Sequence, residues 1–464
     1  MVHRQPSLAL FTDLYELTMA QAYWQSGETA QATFSLFFRS YPPDRGYFVL
    51  GGIQDSLDYL EDLRFSEDET RHLRSLDLFD SNFLEFLAGL RFTGEVRAMD
   101  EGTIFFANEP VIEVTAPIIE AQIVETYLIN QVNLQSVLAT KAARVVHAAP
   151  DRLVVDFAAR RAHGTDAANK LARVSYMAGF AGTSNVLAGR SYGIPVFGTM
   201  AHSFVEAFPS EEQAFRSYAE SFPDSSTFLV DTYDTLEGVR KAIPLAIDMK
   251  RRGHPLRAVR IDSGDLLGLS IRTRAILDEA GLQDVQVFAS GGLDEFAVDE
   301  LLCAGAPIGG FGVGTRVGVS ADAPWTDCAY KLVEYRGRPT LKLSTGKQSL
   351  PGPKQVYRYR DKKGEYLHDV IALATERLPD KGGEPLLKEV MRCGQLLKEH
   401  RPLDELRERF AREFARLPVA HKALRSPATY EVRNSPGLTK LRASMEAEVR
   451  KRELGAVDGE HHGA

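Results

Sequence analysis

The sequence is short of cysteine, with 3 in 464 residues. Cys303, Cys328 and Cys393 are too scattered for metal-ligand spacing and odd in number for a disulfide framework, so a reducing, cytoplasmic setting is expected. No unbroken apolar run approaches about 18 residues, and the opening MVHRQPSLALF lacks the apolar core of a signal peptide. A soluble intracellular protein without a membrane partner is therefore expected. A basic excess is missing too. With 55 Lys+Arg against 63 Asp+Glu, the net charge is -8, which argues against a nucleic-acid partner. No Rossmann or Walker fingerprint occurs, no Ser-His-Asp or Cys-His arrangement is evident, and no strand end carries the Schiff-base lysine of an aldolase. His461 and His462 lie in a polar tail and indicate no metal site.

What is present is an ordinary globular composition, 44% hydrophobic and 25% charged, with length for two or three domains. Leu8 to Trp24 has apolar residues at helical spacing, with Thr12 or Asp13 placed to cap it and Tyr15 at its mouth. Ala32 to Arg39 is a β run, Pro42-Pro43 turns the chain, and Gly46 to Gly51 reads as a second short strand. Ser66 with Glu69 forms a capping box. Phe92 to Thr115 is β-rich, and a long helical pattern from Pro117 leads into the centre of the chain.

From Leu153 a βα pattern repeats: LVVDFA, PVFGTMAHS, TFLVDTYDT, AVRIDSGDL, VQVFASGG and GGFGVGT, each leading into a helical or loop segment. Apolar, β-branched strands between helices predict a parallel sheet buried on both faces. The fold class is α/β: an irregular parallel α/β barrel, residues 126–325, beside a β-rich α+β domain. That second domain is built from residues 1–125 and a return segment, 326–400, with a helical extension and polar tail over 401–464. Lys342, Lys347, Lys354 and Arg358 give the return segment a basic tint, and Leu403 to Arg416 reads as a charged helix.

Nearly every strand of the repeat ends in a polar or glycine residue: Asp156, Thr199, Asp231, Asp262, Ser290 and Gly314. In a closed sheet these converge on one rim, where chemistry collects. Asp262 and Asp265, with Arg260 ahead of them, suit a polyhydroxylated, phosphorylated, metal-bound ligand: carboxylates for ribose hydroxyls or Mg²⁺, a guanidinium for phosphate. The competing reading is a helix start capped by Ser263 or Asp265. Ser290-Gly291-Gly292, between strand and helix, reads as a phosphate cradle, and Gly312-Val313-Gly314-Thr315 would lie beside it. Glycines can equally serve tight turns alone. Phe157, followed by Arg160 and Arg161, suits stacking on a planar heterocycle beside an anionic group, or else is core. His163 reads as a polar loop residue. His202 becomes a candidate because the next two strands supply Asp231, Asp234 and Asp262.

Taken together, DLYELTMA, DFAARRAHG, AGFAGTSNVLAG, PVFGTMAHS, LVDTYDTLEG, VRIDSGDL, ASGGLDE, GVGTRV and KLSTGKQSLPGPKQVYR resemble nicotinate phosphoribosyltransferase, in the family's order, over roughly Leu10 to Arg358. Beyond about His400 no motif extends the resemblance, and Trp325 departs from the smaller residues usual there. The resemblance implies a type II phosphoribosyltransferase, a homodimer with sites at the subunit interface. It would join nicotinate to phosphoribosyl pyrophosphate with Mg²⁺ and coupled ATP hydrolysis, for NAD biosynthesis. Carried over, Phe157 stacks on the pyridine with Tyr15 from the other subunit. Arg160 and Arg260 meet anionic groups, while Asp231, Asp262 and Asp265 serve ribose and, for the first two, metal. Ser290, Gly291, Gly292, Gly312, Gly314 and Thr315 hold the 5′-phosphate, and His202 is the histidine phosphorylated by ATP. Ser184 stands where nicotinamide phosphoribosyltransferases carry a motif resembling Gly-Thr-Asp. That enzyme, and a catalytically silent ligand-binding relative, are the alternatives.

Overall fold

Runs such as LVVD and AVRI have no polar face, so they need apolar cover on both sides. In the computed structural model, which describes residues 8–344, 349–380 and 382–455, they form a parallel sheet of six strands. Lys347, His461 and His462 lie outside the described residues. The strands are β1 (Leu153–Asp156), β2 (Gly182–Thr183), β3 (Thr227–Leu229), β4 (Ala258–Ile261), β5 (Gln286–Ser290) and β6 (Gly310–Val313). Their spatial order is β2-β1-β6-β5-β4-β3, parallel throughout. Helices such as Thr165–Met177, Thr235–Arg251 and Leu266–Glu279 return the chain between strands.

One expected strand is absent. PVFGTMAHS makes a single bridge, Val196 to Thr183, because Pro195 has no N–H to give a ladder and the chain turns into a helix at His202. Its place in the sheet goes to β2, two residues too short to show a period. Gly182 is required there, since a Cβ would lie 2.2 Å from the Pro195 carbonyl oxygen. Among the described residues the ladder keeps two edges, β2 and β3.

The chain divides into two compact units. One holds the parallel sheet, Val137–Pro324, together with Leu403–Ala411; the other holds the chain up to Ser136, Trp325–Pro402 and the chain from Arg412. The first division falls inside the helix Glu125–Ala148 rather than at its start, and the later turns of that helix carry Lys141 and Arg144, which bind Glu295 in the parallel-sheet unit. The segment after residue 401 is not one extension. Arg407 donates to the carbonyls of Tyr176, 2.5 Å, and Gly179, 3.0 Å, at and just past the C-terminal end of the helix Thr165–Met177. Leu403–Ala411 belongs to the parallel-sheet unit.

The other unit is antiparallel. Strand Gln31–Phe38 pairs on one side with Pro110–Pro117 and on the other with Cys328–Tyr335, so the chain after Trp325 returns to the N-terminal sheet. Seven of its eight residues are buried, Thr33 and Ser35 among them. A four-stranded sheet, including Lys354–Arg360 and Tyr366–Leu373, stands beside it in the same unit. Two of the four basic residues of this segment do not face solvent: Lys354 is buried 3.4 Å from Glu113, and Arg358 is buried in a fork on Asp369, at 2.6 and 3.1 Å, whereas Lys342 is exposed. The Ser66–Glu69 capping box forms as expected. The first helix begins at Leu14 with Asp13 at its N-cap position as expected, but the Asp13 carboxylate takes the Thr126 hydroxyl at 2.8 Å instead of a helix N–H. No helix among the described residues is long and apolar enough to cross a membrane.

Next to Tyr15, Glu16 is fully buried and accepts from Gln122 Nε2 at 2.7 Å. Burial pushes its carboxyl from 4.5 up to about 7; Glu125 and Asp13 reinforce the shift, while hydrogen bonds from Tyr15 and Gln122 oppose it. A carboxyl raised on folding binds its proton more tightly in the native state. Its stabilising contribution is therefore complete below 4.5 and is lost as pH rises through about 7. Urea unfolding at about pH 5 and pH 8 should show a fall on the order of 1–3 kcal/mol in the wild type that Glu16→Gln removes. An equal fall in both proteins would show that Glu16 is not its source.

Candidate active site

Parallel strands ending side by side bring their next residues to one level, and here those residues are hydrogen-bonded to one another. Asp231, two past β3, accepts through Oδ2 from the Asp262 N–H at 3.0 Å and the Ser263 hydroxyl at 2.6 Å, both just past β4. Asp262 in turn accepts through Oδ1 from the hydroxyl of Ser290, the last residue of β5. Three strand ends are thus tied by two carboxylates. His202 opens the short helix His202–Glu206, with Nδ1 3.2 Å from Thr232 Oγ1. Its Nε2 lies 4.0 Å from Asp231 Oδ1 and 4.0 Å from Asp262 Oδ2. Asp231 Oδ1 is buried and accepts no hydrogen bond. A buried carboxylate oxygen without a donor, facing an imidazole and a second carboxylate, is suited to a cation or a proton donor arriving with a ligand.

Arg260, from β4, donates to the Met200 carbonyl at 3.0 Å and places its guanidinium carbon 6.0 Å from the centre of the Phe157 ring. Burial lowers its pKa, Asp262 and Asp231 raise it, and the nearby Arg160 lowers it further; Nε is buried without an acceptor. Arg160 itself is exposed. Two guanidiniums near each other with a missing acceptor describe an anion site. Phe157 follows β1 and is tied to β6 by its N–H to the Val313 carbonyl, 2.8 Å, with its ring 6.0 Å from that of Phe288.

Asp156 counted in the sequence only as one polar strand end. In the structure it is the fastening of the aromatic loop. Its buried carboxylate accepts from Ala158 N at 2.8 Å and Thr183 Oγ1 at 2.6 Å, and its carbonyl takes the Ser184 N–H at 2.8 Å. Burial raises its pKa against those two hydrogen bonds. Phe157 and Ser184 are therefore held in one piece, although 27 positions part the two residues that lock it, Asp156 and Thr183. A cavity of ≈ 1030 Å³ in this unit is lined by Phe157, Phe288 and Thr199 toward the strand ends and by Asp151, Asp224 and Arg257 at the opposite end. Tyr15 belongs to the other unit, half-exposed on the helix Leu14–Ser26.

The glycine turns differ from expectation in two places. The helix after Gly291-Gly292 does not offer its N-terminus to a ligand, because Asp294 already accepts from Phe296 N and Ala297 N at 3.1 and 2.9 Å. Phosphate donors must come from the turn itself. Gly312 serves Phe157: a Cβ there would lie 2.4 Å from the ring. At Gly314 a Cβ would meet nothing nearer than the Phe157 carbonyl oxygen, at 3.4 Å, so the protein's own packing leaves that position open. Asp265 acts as a cap, accepting from Gly268 N at 3.1 Å, the bland reading of that residue. No group of three or more His, Cys, Asp and Glu side chains able to hold a metal ion occurs among the described residues.

Fold and site define an α/β protein whose parallel strand ends gather two carboxylates, an imidazole and a guanidinium whose Nε lacks an acceptor. The nicotinate phosphoribosyltransferase family matches this chain in three parts: its N-terminal domain over residues 10–133, the family's central region over 153–332 and its C-terminal domain over 380–442. The last covers the stretch where motifs ran out. The nicotinate phosphoribosyltransferase pncB2 of Mycobacterium tuberculosis is 54% identical over 427 residues, 91% of this chain and 90% of the relative. The Bacillus subtilis nicotinate phosphoribosyltransferase is 42% identical over 387 residues, 82% and 79% of the two chains. The crystal structure of human nicotinic acid phosphoribosyltransferase superposes with a TM-score of 0.84 at 30% identity, covering 94% of this chain and 99% of that one. The chain belongs to the nicotinate phosphoribosyltransferase family.

Gly291 shows how tightly the strand ends are set. It holds φ +91°, and a Cβ would lie 2.0 Å from the Asp262 carbonyl oxygen. Gly291→Ala should cost about 1–3 kcal/mol in strain and displace Asp262, lowering turnover at least about tenfold while circular dichroism shows a folded protein. Wild-type turnover and an unshifted melting midpoint would mean that the turn relaxes without moving Asp262.

Proposed function

We propose that this protein is a nicotinate phosphoribosyltransferase of NAD salvage, joining nicotinate to phosphoribosyl pyrophosphate to give nicotinate mononucleotide and pyrophosphate. The observation that supports it most directly is the pairing, in one unit, of an Arg260-backed Phe157 ring with the Asp231, Asp262 and His202 group. The first suits an aromatic acid and the second a ribosyl pyrophosphate. The pyridine nitrogen attacks the anomeric carbon, the C–O bond breaks, and its electron pair leaves with pyrophosphate. The nitrogen has no proton to lose, so no general base is needed. Positive charge builds on the ribose as the bond breaks, and Asp231 and Asp262 stand to stabilise it. Arg260 and Arg160 take anionic groups, Phe157 stacks on the ring, and the Ser290-Gly291-Gly292 and Gly314-Thr315 turns receive the 5′-phosphate.

The residues present fit Mg²⁺, which binds by one or two carboxylates plus substrate phosphates. Asp231, through its unpartnered Oδ1, and Asp262 would hold it. When bound, it would offset charge on the departing pyrophosphate. The reading extends to a homodimer in which Tyr15 of the partner subunit closes over the pyridine. It also extends to an incomplete barrel in which the stretch from Val196 to Met200 reaches from β2 to β4, supported by the Val196 bridge to Thr183 and the Arg260 bond to Met200.

Mononucleotide formation measured from nicotinate, nicotinamide and quinolinate, each with and without ATP, tests the assignment; product from nicotinamide but not nicotinate would overturn it. Ser184 sets acid against amide. Ser184→Asp should weaken nicotinate by about 1–3 kcal/mol through like charge in a partly desolvated pocket, and unchanged nicotinate kinetics would remove Ser184 from the pocket. His202 is proposed as the acceptor of the ATP γ-phosphoryl group. Its Nε2 attacks phosphorus and ADP leaves; water later releases the phosphate. With Nδ1 on Thr232, the ring can be held in a nucleophilic tautomer. His202→Ala should lose ATP hydrolysis yet keep slow ATP-independent transfer. Full ATP coupling in that variant, or acid-labile label from γ-labelled ATP on another peptide, would exclude it.

A further inference from the structure

The helix Glu295–Cys303 begins with two consecutive acids, and each reaches the segment after the second glycine turn by a different route. Asp294 is nearly buried. Its Oδ1 caps its own helix, while Oδ2 binds Arg316 Nη1 at 2.6 Å, and Arg316 directly follows Gly314-Thr315. Glu295 is fully buried between Lys141 Nζ, at 2.5 Å, and Arg144 Nε, at 2.8 Å, both on the helix Glu125–Ala148. Lys141 also binds Asp322 Oδ1 at 2.6 Å. The Gly291-Gly292 turn and the segment 314–322 are thus joined twice, once directly and once through Lys141. The direct link uses an acid that cannot itself favour a phosphate, beside an arginine half-exposed to solvent.

We propose that Asp294 and Arg316 are positioning residues, a brace that fixes the separation of the two glycine turns and so the site for the 5′-phosphate of the ribosyl substrate. The proposal rests on the phosphoribosyl transfer argued above. Two turns of main-chain donors grip one phosphate only at a fixed gap, and glycines alone supply no such rigidity. A tie made by one carboxylate bridging a helix N-terminus and a guanidinium supplies it, because both of its hydrogen-bonded ends are charge-assisted.

The test uses Arg316→Gln, Arg316→Lys, Asp294→Asn and the double variant Asp294→Asn/Arg316→Gln, with rates measured against each substrate at saturation of the other. Arg316→Gln and Asp294→Asn should each raise KM for phosphoribosyl pyrophosphate about tenfold and leave KM for nicotinate within about twofold. Arg316→Lys should recover most of the loss, and the double variant should be no worse than the poorer single variant. Multiplying losses in the double variant would mean that Arg316 meets the phosphate independently of Asp294, and equal rises in both KM values would mean general loosening; either overturns the brace. Should a variant fail to fold, Arg316→Lys and the wild type still decide: ribose 5-phosphate affinity, by calorimetry, should fall only slightly with the lysine, and a loss as large as tenfold would refute a charge-held brace. That affinity needs no turnover. A wild type that binds ribose 5-phosphate but makes no mononucleotide would therefore defeat the proposed reaction while leaving the brace standing.

Discussion

Asp231 and Asp262 bind the ends of three neighbouring strands through hydrogen bonds to Asp262 N, Ser263 and Ser290, and the rest of the site is arranged around that tie. Carboxylates this close together raise one another's cost. They are tolerable because donors from adjacent strands meet two of their four oxygens, leaving Asp231 Oδ1 and Asp262 Oδ2 turned toward His202. The parallel sheet makes this feasible, since only strands running the same way deliver consecutive βα turns to one side. The apolar bodies of β1 to β6 are thus the means by which charge is concentrated at one edge.

The same logic operates one layer out. Asp156 locks the aromatic loop to the start of the Ser184 turn, and Asp294 locks one glycine turn to the next. Each is an acid at or just beyond a strand end, and each is fully engaged by protein donors. Acids of this region therefore divide by their partners: Asp156, Asp265 and Asp294 accept from backbone N–H groups, whereas Asp231 and Asp262 each tie a neighbouring strand end with one oxygen and turn the other toward His202. Composition does not distinguish the two groups. The second oxygen does.

The antiparallel unit follows a different rule. Its cationic residues Lys354 and Arg358 are buried against Glu113 and Asp369, so part of a segment that reads as basic is neutralised inside its own fold. Breaking such a pair would leave an uncompensated buried charge, which makes these residues structural. Near Tyr15 the balance is reversed. Glu16 shares its surroundings with Asp13 and Glu125, and burial with like charge raises its pKa.

By itself the sequence determined what local pattern can determine. Five of the six parallel strands, the Ser66–Glu69 cap, the charged helix Leu403–Arg416 and the strand-end positions of Asp231, Asp262 and Ser290 follow from apolar runs, capping chemistry and turn residues, all short-range in their causes. The motifs of the family were legible for the same reason, as contiguous residues. Whatever depended on partners distant in the chain was not. Two-residue β2 has no period of its own and exists because Gly182 admits the Pro195 carbonyl. Gly312 looked like part of a phosphate turn until the Phe157 ring filled its missing side chain. Asp265 and Asp294 were indistinguishable from ligand-binding acids until the helix N–H groups that occupy them were placed. A sequence displays which residues can donate and accept, but which donor reaches which acceptor is settled only when packing brings separate strands and helices within hydrogen-bond distance.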